Sequence, residues 1–82
     1  MNWDQVEGKW KQYKGKAKEK WGKMTDDDLD MIDGRRQQLV GKIQERYGTE
    51  KELAEKQADE FIKSLKEDNA TEERQAHRAG RG

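Results

Sequence analysis

Along the first quarter of the chain, Trp3, Val6, Trp10, Tyr13, Ala17 and Trp21 follow one another at spacings of 3, 4, 3, 4 and 4. At 3.6 residues per turn these side chains fall on one stripe, so the pattern predicts an amphipathic helix over residues 2–22. Asn2 offers an N-cap with Gln5 three residues on, the spacing of a capping box, and Gly22 stands where a C-cap is expected. Thr25 caps a second, short helix carrying Leu29 and Ile32. Its first turn holds Asp26, Asp27 and Asp28, where carboxylates meet the positive end of the helix dipole. Asp33-Gly34 punctuates, and Leu39, Val40, Ile43 and Tyr47 outline a third helix closed by Gly48. Thr49 and Glu52 repeat the capping-box spacing and open a fourth helix, whose face reads Leu53, Ala54, Ala58, Phe61, Ile62 and Leu65 and which is expected to end near Glu67.

No segment alternates with a period of two, so the expected fold is all-α, a compact four-helix bundle. Its predicted core is Trp3, Val6, Trp10, Tyr13, Trp21, Leu29, Ile32, Leu39, Val40, Ile43, Tyr47, Leu53, Phe61, Ile62 and Leu65. From Asp68 to Gly82 the only apolar residues are Ala70, Ala76 and Ala79, so nothing there repays ordering. The reading is therefore one helical domain at 1–67 and a polar, disordered tail at 68–82. Composition sharpens this. With 82 residues, 29% hydrophobic and 44% charged, the chain has room for one small core, and its stability is expected to be modest.

Eighteen basic and eighteen acidic residues cancel globally, but not locally. Residues 1–24 carry Lys9, Lys11, Lys14, Lys16, Lys18, Lys20 and Lys23 against Asp4, Glu7 and Glu19, a net +4. Basic residues interleaved with aromatics can neutralise phosphates and stack on bases, or lie on an anionic membrane with tryptophans at the headgroups. The seven lysines are thus the candidate polyanion-binding face. The plainer reading makes the aromatics the core and the lysines its solvated exterior. It is favoured because a chain so poor in apolar residues can hardly leave three tryptophans outside, and because the segment lacks arginine. Gly8, Gly15 and Gly22 recur every seven residues, each followed by lysine, nearly opposite the aromatic stripe. Nothing in the sequence gives Gly8 and Gly15 a packing reason.

Other chemistry finds little footing. Counted as an EF-hand loop from Asp26, the glycine position holds Met31 and the terminal glutamate position Gln37, so the aspartates read as helix capping on a solvated face. The Gly-Lys pairs lack the Ser/Thr and upstream glycine of a phosphate loop. His77 lies in the tail and Ser64 has no base near it in sequence. No catalytic residue, metal or cofactor is expected, nor a small-molecule substrate, and the chain is read as a non-enzyme. The absence of cysteine and of an apolar leader or span points to the cytoplasm. A monomer is expected, with weak, salt-sensitive contact to nucleic acid or anionic membrane as the one partner class the basic helix admits.

Asn2-Trp3-Asp4, Val6-Glu7-Gly8-Lys9-Trp10-Lys11-Gln12, Gly15-Lys16, Glu19-Lys20-Trp21-Gly22-Lys23 and Thr25-Asp26-Asp27-Asp28-Leu29 together resemble the CsbD-like family of small bacterial stress proteins. Leu39, Gly41-Lys42-Ile43-Gln44, Arg46-Tyr47-Gly48 and Glu55-Lys56-Gln57 extend the likeness, which covers residues 2 to about 62. The resemblance implies four helices in two roughly orthogonal α-hairpins, a bacterial cytoplasmic setting and induction in general stress, and it brings no catalytic or binding residues. Eight glycines and a mean hydropathy of −1.54 are also similar to the hydrophilins, which are associated with water deficit.

Overall fold

The first helix is capped as its sequence dictates. In the computed structural model, which describes the backbone of residues 2–81 and the side chains of residues 2–66, Asn2 Oδ1 accepts from the Gln5 amide at 2.9 Å. Gln5 Oε1 accepts in turn from the Asn2 amide at 3.0 Å. The helix does not run on to Gly22, however. It forms α1 (Trp3–Gly8), breaks at Lys9 (φ −118°, ψ 24°) and resumes as α2 (Trp10–Lys20). Two causes meet at the break. Gly8 is a poor helix former, and α1 is drawn toward the turn at Gly34, where a Cβ would stand 2.6 Å from Glu7 Cα and 2.9 Å from its nitrogen. Only a glycine lets the two backbones come so close, and its φ of +74° suits glycine as well.

The remaining elements are α3 (Asp26–Ile32), α4 (Arg36–Tyr47) and α5 (Lys51–Arg81), so the described residues hold five helical segments and no strand. Thr25 caps α3, and the left-handed Asp33 ends it. Gly48, at φ +64°, ends α4 with its amide on the Gln44 carbonyl. The expected Thr49–Glu52 box is not the cap of α5. That helix starts one residue later, at Lys51, and Thr49 Oγ1 is buried with no hydrogen-bond partner. The backbone of α5 also continues past Glu67. The sequence there, rich in Ala, Glu, Gln and Arg, has no proline, and its first glycine is Gly80. The side chains of the expected tail at 68–82 lie outside the described residues.

Packing follows chain order, most extensively α4 against α5 and α3 against α4. Val6, Trp10, Tyr13 and Ala17 are buried from the first two helices and Trp21 from the C-cap of α2, joined by Met24, Leu29, Ile32, Leu39, Val40, Ile43, Ala54, Ala58, Phe61 and Leu65. Trp3, Tyr47 and Ile62 pack against this core half-buried. Met24 is fully buried in the loop after α2, outside the helical periodicity that marks the rest of the core. Leu53 is a correction in the other direction, being 46% exposed. The buried line on α5 is Ala54, Ala58, Phe61 and Leu65, and Leu53 stands a further 100° round the helix from Ala54.

Candidate functional site

The lysines of the first third do not converge on one face. On α2, at 100° per residue, Lys16 and Lys20 flank the buried stripe on one side, while Lys11, Lys14 and Lys18 flank it on the other. Gly15 stands on the outward ridge between them, with open space where its Cβ would be; the Cβ positions of Gly8, Gly22 and Gly41 are equally open. Several of these lysines are tied into the fold. Lys14 pairs with Asp30 of α3, and that hydrogen bond raises the lysine pKa. The Lys18 ammonium donates to the Met24 carbonyl, closing the loop after α2. Lys20 lies 5.6 Å over the Trp21 ring and Lys23 lies 5.2 Å over the Tyr47 ring, while the Lys23 amide donates to the Tyr47 hydroxyl at 3.1 Å. Lys16 is half-buried, beside Glu19, Phe61 and Ser64. Lys9 and Lys11 are exposed.

The aromatics meant to accompany the lysines point inward. Trp10 is 6% exposed, and its indole donates to the Leu29 carbonyl at 2.8 Å, tying α2 to α3. Trp21 is 3% exposed. Its indole reaches Gln57 Oε1 at 3.3 Å, and its ring meets Phe61 at 5.0 Å between centroids. A base or a lipid headgroup therefore meets lysines on the described surface without either of these rings.

The strongest electrostatic constellation lies elsewhere, and sequence reasoning missed it. Asp28 is buried among the five aspartates that read alike as a solvated cap, whereas Asp26, Asp27, Asp30 and Asp33 are exposed. Arg46 grips it with two parallel bonds, Nε to Oδ2 at 2.7 Å and Nη2 to Oδ1 at 2.9 Å. The Thr25 amide donates to Oδ2 at 3.0 Å, and Lys42 Nζ stands 3.3 Å from Oδ1. The Arg46 bonds first, then the Thr25 amide and Lys42, hold the carboxyl well below the usual carboxylate range in spite of its burial. Glu45 balances Lys42 from 3.3 Å on its other side. A carboxylate so fully donated to is a fixed charge, unsuited to accepting a proton from a substrate.

Two signals did lie in the sequence. Thr25 and Asp28 have capping-box spacing, and both halves of that box form. Lys42 and Arg46 are four apart, alongside the buried Leu39 and Ile43.

Two further clamps complete the pattern. Arg36 of α4 bonds Asp59 of α5 through Nε and Nη2, at 3.0 and 3.2 Å, with Glu55 at 3.6 Å, and Arg35 reaches Glu7 of α1 at 3.3 Å. What the geometry defines is a small helical protein whose core is aromatic and aliphatic and whose helices are pinned to one another by ion pairs. The chain belongs to the CsbD-like family, whose sequence profile matches residues 4–56. It is 61% identical over 66 residues to a UPF0337 protein of Rhodopseudomonas palustris, covering 80% of this chain and all of that one. A UPF0337 protein of Pectobacterium atrosepticum is 72% identical over 57 residues, 70% of this chain and 83% of the relative. UPF0337 protein YjbJ of Escherichia coli is 62% identical over 63 residues, 77% and 91% of the two chains.

Proposed function

We propose that this chain is a non-enzymatic, cytoplasmic general-stress protein of hydrophilin type, protecting other macromolecules during osmotic, desiccation or stationary-phase stress. One observation carries the reading. Among the described residues, Met31 and Leu53 are the large hydrophobic side chains left well exposed, so nearly all of the apolar content is inside and the surface is a dense mixture of both charges. Such a surface holds water and resists aggregation. Glycines at open helical positions keep the helices weak enough to respond to water activity and crowding. Protection then resides in the surface as a whole, and single surface substitutions are expected to change it little.

The test is to dry or freeze a labile enzyme with the purified chain or with an equal mass of an ordinary globular protein. Greater recovery with this chain is expected; equal recovery contradicts the reading. A second reading rests on the exposure of Lys9 and Lys11, which would let the basic segment touch nucleic acid or an anionic membrane. Titration against DNA, RNA and anionic vesicles at about 50 mM salt decides it. The reading requires binding that weakens steeply as salt rises.

A further inference from the structure

α1 is the helix attached by least. It has six residues, of which Val6 is fully buried and Trp3 half-buried, whereas α2 and α4 each bury three side chains completely or nearly so. Its continuity with α2 is broken at Lys9, directly after a glycine with nothing around its Cβ position. Its seat is the backbone contact of Glu7 and Val6 with Gly34. Across that seat runs the Glu7–Arg35 pair, with side chains 41% and 61% exposed, in contrast to the 4% of Asp28 in the α3–α4 pair.

A short segment with little buried area and a joint of its own opens locally for less free energy than the whole fold. An exposed ion pair is screened by salt, while a buried one is largely spared. We propose that α1 is a strap sensitive to ionic strength: it swings off Gly34 about the Gly8–Lys9 joint, with Glu7–Arg35 as its latch, while α2 to α5 stay packed. Opening uncovers the apolar seat of Val6. Ionic strength rises when a cell loses water, so the apolar area this chain exposes becomes a function of water content. The strap stands whether or not the chain protects anything.

Hydrogen exchange on the whole chain tests it, by comparing protection of the Val6 and Lys9 amides, bonded within α1, with that of Leu39 and Ile43 in α4. The α1 amides are expected to be less protected. Raising salt from about 0.05 to about 0.5 M should lower their protection further, by at most about fivefold, the range of one exposed ion pair. Glu7→Gln should reproduce that loss at low salt and remove the salt response. Gly34→Ala, a wedge against the Glu7 backbone, should lower protection at Val6 and Lys9 more than at Leu39 and Ile43. Equal protection of the two groups in both salts overturns the strap. So does a Glu7→Gln chain that keeps the wild-type α1 protection and salt response, or an equal loss at both groups in Gly34→Ala.

Discussion

The α3–α4 corner and the α4–α5 seam both draw on one helix, α4, and differ in how deeply its ion pairs are buried. Toward α3 it presents Lys42 and Arg46 to a buried carboxylate; toward α5, whose buried line is Ala54, Ala58, Phe61 and Leu65, it presents Arg36 to the more exposed carboxylates of Asp59 and Glu55. The corner is directional, since two guanidinium bonds and one backbone amide fix where Asp28 sits. The seam rests chiefly on apolar area removed from water, with the Arg36–Asp59 clamp, 33% and 58% exposed, at its solvated edge. A chain with few hydrophobic residues thus adds a buried ion pair where the seven-residue α3, with Leu29 and Ile32 buried, meets α4.

The contrast can be broken most severely in the buried line of α5, where Phe61 meets Trp21. Phe61→Ala should cost about 3–5 kcal/mol and leave the chain largely unfolded at ambient temperature, as followed by circular dichroism and denaturant titration. At the corner, Asp28→Asn leaves Lys42 and Arg46 facing a group without charge. It should lower the melting temperature clearly, though less than Phe61→Ala does. Its signature is pH. The folded pKa of Asp28 is depressed, so its contribution is complete above the unfolded value near 4 and is lost as pH falls below that. Wild type should therefore lose stability steadily on acidification below about pH 4, and Asp28→Asn should flatten part of that slope; identical slopes would show that the pair does not matter. Gly15→Ala, on the outward ridge and away from both regions, should gain about 1 kcal/mol, as should Gly41→Ala, because the new methyl meets open space. Smallest of all, Leu53→Gln should shift stability by no more than about 0.5 kcal/mol. A larger loss would mean that the register of α5 in the seam differs from the one described.

Periodicity and capping made most of this fold readable from the sequence. The stripe from Val6 to Trp21 is buried, Asn2 and Gln5 form their box, and Gly48 ends α4 in the left-handed conformation. These features depend on residues a few positions apart. The features that escaped depend on distant ones. The break at Lys9 needs Gly34 beneath it, and Gly8 alone gave only a weak helix. Thr49 and Glu52 fit a capping box, but the start of α5 falls one residue beyond it. Leu53 and Ala54 are neighbours in a broad apolar face, and only contact with the other helices selects the smaller one for burial. The candidate site followed the same rule. Seven lysines looked equivalent in the sequence, yet Lys14, Lys18, Lys20 and Lys23 have found partners within the fold. Among five similar aspartates, the position of Arg46 singles out Asp28.

The placement of the tryptophans has an optical consequence. Indole emission shifts to longer wavelength as water reaches the ring. Trp10 and Trp21 are shielded within the body of the molecule, while Trp3 rides half-covered on the one helix with a joint of its own. The chain therefore carries a native colour gauge: the red edge of its fluorescence reports on the amino-terminal turn and the blue edge on everything behind it, without any added dye.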